Sequence, residues 1–189
     1  MIDRITISIS GAAETTHCGP TVMHKALELG RACATLGVQL STGATSGFPL
    51  TVAQGYKEVA GAPLSFGLSP AINKTEHIEV YRLPTDHMDI IVYTGFGFPG
   101  RDLMLVRSSD AIIIGCGRIG TIHEFTVAWE SEMPIGILEG DWATDEVIKN
   151  IIANSNRENP LVVFDSDPKR LAEKIVAMCK ERGEKQRSL

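Results

Sequence analysis

Short runs of apolar, mostly β-branched residues alternate along the chain with longer segments whose apolar positions recur every three to four residues. Such short runs are typical of buried strands, and the longer segments are typical of amphipathic helices. We predict seven strands, at residues 5–10, 38–41, 64–68, 90–93, 111–114, 135–138 and 161–164. Regular alternation of strand and helix favours a single-domain α/β, Rossmann-like fold with a mostly parallel sheet flanked by helices.

Five helices are predicted between these strands, at residues 20–36, 50–60, 101–108, 121–132 and 145–154, and a sixth after the last strand, at 168–182. Pro20 and Pro168 fit first-turn positions, where the missing N–H of proline costs nothing. Residues 69–88 show no clear period, and a connector of that length in a compact domain is either functional or locally structured. We expect one nucleotide-binding domain over residues 1–182 and a flexible tail over 183–189.

The composition is that of a globular protein, with 43% hydrophobic and 22% charged residues in a chain of 189. No apolar run approaches the roughly 18 residues that a membrane span needs, and the first residues do not form a signal-peptide core. We therefore expect a cytoplasmic protein without a membrane partner. The formal net charge of -5 argues against a nucleic-acid partner, which requires a basic face.

The cysteines are scattered and form no C-x-x-C pair, which favours reduced thiols over a disulfide framework. They are Cys18, Cys33, Cys116 and Cys179. His17, Cys18, Cys116 and His123 could converge on a metal ion, but their spacing is not that of a metal site. We therefore expect no metal and no cofactor.

Glycines follow four of the predicted strands, at the edge where an open parallel sheet binds its ligands. Glycine at any one turn most often serves the backbone conformation. Four clusters at the same edge favour close approach to a polar ligand of nucleotide size. From the first two strands, the candidate binding residues are Gly11, Gly43, Thr45 and Gly47.

The fifth strand leads into GCGRIGTIHE, residues 115–124. A strand that runs through a glycine-rich turn into a helix presents free N–H groups and the positive end of a helix dipole, which attract anions. Taken alone, such a turn is a weak signal, because helix–strand packing also selects glycine.

With SSDAIII before it, this segment resembles a Rossmann-like family formerly named for lysine decarboxylases. The family includes the LONELY GUY cytokinin-activating phosphoribohydrolases and the molybdenum-cofactor carrier proteins, and its signature is Pro-Gly-Gly-x-Gly-Thr-x-x-Glu. Residues that match in register are Ser109, Asp110, Ala111, Gly117, Gly120, Thr121 and Glu124. Arg101, in PGRDL, stands at the position of the family's arginine, and the resemblance covers about three quarters of the chain.

The resemblance implies a homodimer that binds a nucleoside monophosphate or a related phosphorylated nucleotide without a cofactor. It implies that the turn holds the phosphate, through Gly117, Arg118, Ile119, Gly120 and Thr121, and that Glu124 and Arg101 act in hydrolysis of the N-glycosidic bond. Three departures from the family pattern, Cys116 for proline, Arg118 for glycine and Asp102 for lysine, favour the alternative of non-catalytic carriage of a nucleotide or molybdenum cofactor.

Three residues keep two interpretations each. Glu124 is either a catalytic carboxylate or the partner of Thr121 in a capping box. Arg118 is either a second cation for the phosphate or a side chain that fills the space left open by the family's glycine. Arg101 either fixes a ligand or is an ordinary surface arginine, whereas His123 is expected on the surface. DNA handling, as in the bacterial DNA-processing proteins, is disfavoured by the acidic charge.

Overall fold

A computed structural model describes residues 4–187, and side chains up to residue 183. All seven strands lie in one parallel sheet, in the order β4-β3-β2-β1-β5-β6-β7. The strands are β1 (Thr6–Ser10), β2 (Gln39–Thr42), β3 (Ser65–Ser69), β4 (Ile90–Tyr93), β5 (Ala111–Ile114), β6 (Ile135–Leu138) and β7 (Val162–Asp165). The predicted fold class, a Rossmann-like α/β domain with a seven-stranded sheet, is confirmed.

Helices cover both faces of the sheet. They are α1 (Val22–Thr35), α2 (Phe48–Lys57), α3 (Gly97–Arg107), α4 (Ile119–Glu130), α5 (Thr144–Asn154) and α6 (Pro168–Arg187). Because side chains alternate across a strand, Ile113 packs into the core beneath α1, α2 and α6. Its neighbours Ile112 and Ile114 pack on the opposite side, with residues of α3, α4 and α5. Strands covered on both faces are the reason why the apolar runs are continuous rather than alternating.

Helices α1 and α2 approach each other closely through two glycines. A Cβ atom at Gly30 would overlap the backbone of Val52 and Tyr56, and one at Gly55 would overlap the backbone of Leu27. Both glycines are buried within their helices. The two helices therefore pack backbone against backbone at this point, and neither position has room for a methyl group.

Residues 69–88 are locally structured around a π-helical turn, Glu76–Val80. His77 is fully buried there, where its Nε2 donates to the carbonyl of Pro84 (2.9 Å) and its Nδ1 hydrogen-bonds with the hydroxyl of Ser69 (2.8 Å). At the C-terminus, α6 continues beyond its predicted end to Arg187. The rest of the predicted tail, residues 188–189, lies outside the described residues. Among the helices described, none combines the length and apolarity required to cross a bilayer.

The expectation of four reduced thiols was wrong, because Cys18 and Cys116 form a disulfide. Cys18 follows β1 and Cys116 follows β5, and these strands are adjacent in the sheet. The loops that leave their carboxyl ends therefore meet, although the two cysteines are 98 residues apart. Cys33 and Cys179 are free and buried, and burial raises the pKa of each thiol to about 12.

Candidate functional site

A cleft of about 260 Å³ opens at the carboxyl ends of β1, β2 and β5. Eight of the predicted site residues line it: Gly11, Gly43, Thr45, Arg101, Arg118, Gly120, Thr121 and Glu124. A larger groove, of about 730 Å³, lies at the opposite edge of the sheet, near Ile5 and Val38. Ligands of open parallel sheets bind at the carboxyl edge, so the smaller cleft is the candidate site.

Gly47, Gly117 and Ile119 are not among the residues that line the cleft. The N–H of Gly117 donates to Oγ1 of Thr144 (2.8 Å), and the same hydroxyl donates back to its carbonyl (2.9 Å). Both backbone groups of Gly117 therefore pair with Thr144, the first residue of α5. Ile119 begins α4 with 83% of its surface exposed, and Gly47 precedes α2 with a φ of 68°.

Glu124 lies at the floor of the cleft, almost fully buried, and accepts a hydrogen bond from Ser10. Burial raises the pKa of its carboxyl to about 8; Arg101 opposes this shift and the neighbouring Asp102 adds to it. The capping-box interpretation was wrong, since α4 begins at Ile119 with Arg118 as its N-cap residue. Thr121 is thus inside the first turn and Glu124 in the second.

Arg101 is also buried, and its donors are directed at protein groups. Its Nε donates to Oδ1 of Asp102 (3.0 Å), and its Nη1 donates to the carbonyl of Gly43. Helix α3 begins at Gly97, so Arg101 lies in its second turn rather than at the helix start where it was predicted. The guanidinium therefore joins the ends of β2 and α3 inside the protein instead of lying on the surface.

Asp102 connects this pair to α4. Its Oδ2 lies 3.1 Å from Nδ1 of His123, and its Oδ1 accepts from Arg101. From the sequence, Asp102 is only a departure from the family pattern, His123 is expected on the surface, and Ser10 has no assigned role. The available signal was the position of Ser10 at the end of the first strand, beside Gly11.

Arg118 and Glu14 form an ion pair at the rim, with Nη2 and Oε2 2.7 Å apart and both side chains more than half exposed. Glu14 belongs to the loop after β1, and Arg118 precedes α4. Hydrogen bonds from Thr16, together with Arg118, lower the pKa of Glu14. The exposed pair contributes little to stability, but it places a cation where an anionic ligand would enter the cleft.

The raised pKa of Glu124 predicts a specific pH dependence of stability. A carboxyl with an ordinary pKa of 4.5 in the unfolded chain and about 8 in the folded protein releases its proton on unfolding between these values. Stability contributed by Glu124 is therefore complete below about pH 4.5 and is lost as the pH rises through about 8. We expect Glu124→Gln, which stays neutral, to gain melting temperature relative to the parent across this window.

Melting curves from pH 5 to pH 9 measure this difference. The matched control is Glu130→Gln, an exposed glutamate of the same helix that pairs with Arg157. A difference between parent and Glu124→Gln that stays constant over the whole range would show that Glu124 ionises at its ordinary pKa.

The chain matches one family model and is similar to several solved structures. The model of the SLOG cluster4 family matches residues 4–172. The structure of the molybdenum cofactor binding protein from Rippkaea orientalis is similar, with 27% identity, a TM-score of 0.72, and 96% of this chain and 98% of that chain covered. The molybdenum cofactor carrier protein from Chlamydomonas reinhardtii is similar at 26% identity and a TM-score of 0.68, with 94% and 97% covered.

A more distant likeness concerns the fold alone. DNA processing protein A from Helicobacter pylori is 15% identical, with a TM-score of 0.64 over 92% of this chain and 81% of that chain. A search of curated protein sequences found no match to the chain.

Proposed function

The chain belongs to the SLOG cluster4 family, and from that premise we propose that its cleft binds and carries a phosphorylated nucleotide or pterin cofactor without breaking a bond in it. The observation that carries the proposal is the group of Arg101, Asp102 and Glu124 at the floor of the cleft, where an ion pair of Arg101 and Asp102 lies beside the buried carboxyl of Glu124. Two of the similar structures are a molybdenum cofactor binding protein and a molybdenum cofactor carrier protein, which supports carriage of a cofactor of that kind.

The state of Glu124 argues for carriage over hydrolysis. Cleavage of an N-glycosidic bond develops positive charge at the anomeric carbon, and a carboxylate stabilises that charge or activates the attacking water. With its pKa raised to about 8, Glu124 is mostly the neutral acid at pH 7. A neutral acid beside the phosphate site avoids repulsion of an incoming dianion and donates a hydrogen bond to it or to a sugar hydroxyl.

Hydrolysis is the second candidate, because Glu124 and Arg101 occupy the positions that the family uses at the glycosidic bond and both line the cleft. If the protein hydrolyses nucleotides, release of free base from nucleoside monophosphates should rise as Glu124 ionises above pH 8. Incubation with a panel of monophosphates at pH 7 and pH 9, followed by chromatography, tests this. Carriage predicts no free base at either pH.

Binding itself is tested by thermal shift. We expect nucleoside 5'-monophosphates to raise the melting temperature, and the matching nucleosides to do so much less, because the phosphate is the group that Arg118 and the start of α4 would hold. A ligand at a hundredfold excess over its Kd stabilises by roughly 2.7 kcal/mol, which is about 5–10 °C for a domain of this size. Equal shifts in melting temperature from nucleoside and nucleotide would show that the cleft does not recognise the phosphate.

Arg118 supplies a second test at the rim. We expect Arg118→Gly to weaken binding of adenosine monophosphate about tenfold, the lower end for a charge-assisted hydrogen bond, since Arg118 is exposed and already pairs with Glu14. The remaining binding should also be less sensitive to salt. Calorimetric titration at two salt concentrations measures both effects. Arg157→Gly is the matched control, because Arg157 forms a similar exposed ion pair with Glu130. Tighter binding by Arg118→Gly would mean that the side chain blocks the cleft.

We also propose that the protein is a homodimer through the β4 edge of the sheet. Large apolar side chains are exposed on and around this strand: Ile72, Val80, Ile90, Val92, Phe96 and Phe98. Parallel sheets rarely leave an edge of this kind open to water, and a second copy of the same face would cover it. Light scattering coupled to size-exclusion chromatography tests the proposal, which a monomeric mass would refute.

A further inference from the structure

The disulfide pair has a third neighbour that the function proposed above does not use. The ring Nε2 of His17 lies 3.7 Å from Sγ of Cys18 and 3.7 Å from Sγ of Cys116. These three atoms lie within 4.8 Å of one another, and both cysteines are fully buried while His17 is exposed. Two sulfurs and an imidazole nitrogen are the ligand set that zinc-class cations prefer.

We propose that the reduced pair Cys18 and Cys116, together with His17, binds one zinc-class divalent cation, and that the disulfide is the cation-free, oxidised form of this site. Tetrahedral zinc with Zn–S near 2.3 Å and Zn–N near 2.0 Å requires N···S separations of about 3.6 Å. Both observed N···S distances, 3.7 Å, match this requirement. Only the two sulfurs must move apart, to about 3.8 Å at the same bond lengths.

The backbone around the site is already held in place. The Cα atoms of the two cysteines are 5.7 Å apart. At this separation the two sulfurs can bond to each other directly, or, after the side chains rotate, both can bind a cation that lies between them. The carbonyl of Cys116 accepts from the N–H of Ala12 (2.7 Å), and the N–H of Cys18 donates to the carbonyl of Thr15 (2.9 Å). Reduction of the disulfide therefore leaves the ligands close together, which lowers the cost of binding a cation.

The chemistry requires a thiol reductant and a cation. Two small-molecule thiols reduce the bond by exchange: the first forms a mixed disulfide with one cysteine, and the second displaces that cysteine and leaves as the small-molecule disulfide. Both cysteines are then thiols. The cation replaces their two protons, which go to solvent, and takes the neutral nitrogen of His17 as its third ligand. Three protein ligands leave the fourth position to water, on the exposed side of His17.

None of the three proposed ligands lines the cleft. Cys18 and Cys116 belong to the two loops that carry Glu14 and Arg118, and these residues form the rim. A bound cation would thus join the loops after β1 and β5 in place of the disulfide. We infer a structural role for the cation, in the reduced protein only.

Cobalt titration of the full chain tests the proposal. The protein is reduced with an excess of dithiothreitol, freed of reductant by gel filtration under argon, and titrated with Co²⁺, whose thiolate charge-transfer and visible bands report tetrahedral binding. Thiol counts in denaturant should give four in the reduced protein and the two of Cys33 and Cys179 in the oxidised one. We expect the reduced chain to bind one Co²⁺, and Zn²⁺ to displace it. The oxidised chain should show none of these bands.

Variants separate this site from the other thiols and histidines. Cys18→Ser, Cys116→Ser and His17→Ala should each weaken cobalt binding by more than about 100-fold, since loss of an outer-shell partner alone costs 10–100-fold. Cys33→Ser, Cys179→Ser and His24→Ala are the matched controls and should bind normally. His17 is exposed, so its replacement should leave the fold intact even if a cysteine variant fails to fold. Absence of the bands in a fully reduced parent, or their survival in His17→Ala, would overturn the proposal.

Discussion

Replacement of Arg101 by Met should lower the free energy of unfolding by about 3–5 kcal/mol, the usual cost of removing one partner of a buried ion pair. Arg101 and Asp102 are each about 5–6% exposed, and Glu124 lies beside them. Loss of the guanidinium leaves the Asp102 carboxylate buried without its main partner, and removes the group that opposes the rise in the pKa of Glu124. Chemical denaturation at pH 7 measures the loss.

A second substitution shows whether the uncompensated charge is the cause. Adding Asp102→Asn to Arg101→Met removes that charge, so the double variant should recover a large part of the lost stability. A double variant as unstable as the sum of the two single variants would assign the effect to lost packing of the arginine side chain. If the cleft binds the ligand proposed above, both variants should bind it more weakly, because Arg101 lines the cleft and donates to the carbonyl of Gly43 there.

Gly30→Ala is the second change for which we expect a large effect. The added Cβ would overlap the backbone of Val52 and Tyr56 in α2, and backbone atoms cannot rotate away as a side chain can. Overpacking of a tight core costs about 1–3 kcal/mol and sometimes more. We expect the upper end of that range, or a fall in melting temperature of about 6–12 °C at 2–4 °C per kcal/mol.

Gly183→Ala is the matched control for this prediction. Gly183 also lies in a helix, α6, but a Cβ there would meet nothing within 4 Å. Because alanine is the better helix former by up to about 1 kcal/mol, this variant should be as stable as the parent or more so. If Gly30→Ala melts like Gly183→Ala, α1 and α2 are farther apart than the structure has them.

Local patterns predicted the strands well, because short β-branched runs that are buried on both faces have few other secondary structures open to them. The bounds of β4, β5 and β6 are those predicted from the sequence. Helix starts were predicted less well: α3 begins at Gly97 and α4 at Ile119, in glycine-rich stretches whose local preference is for a turn. Tertiary packing overrides that preference at both positions.

Within the site, the sequence identified the residues that a local motif marks, such as Gly120, Thr121 and Glu124, and most of them line the cleft. It missed Ser10 as a partner of Glu124, and it missed the bond between Cys18 and Cys116. Both contacts join β1 or the loop after it to the segment that follows β5. These two strands are neighbours in the sheet but about a hundred residues apart in the chain. Periodicity and spacing describe only what is close in sequence, so contacts set by strand order could not be found this way.

The central position of β1 has a consequence for the order in which the protein assembles. β1 pairs with β2 on one side and with β5 on the other, and the cleft takes its floor from residues as distant as Ser10 and Glu124. During synthesis, the first four strands leave the ribosome before β5 exists, so one edge of β1 has no partner until β5 has been made. Contacts of such long sequence separation form late and slow the search for the native state. The cleft therefore cannot form before α4 has been made, and no fragment that ends before α4 contains it.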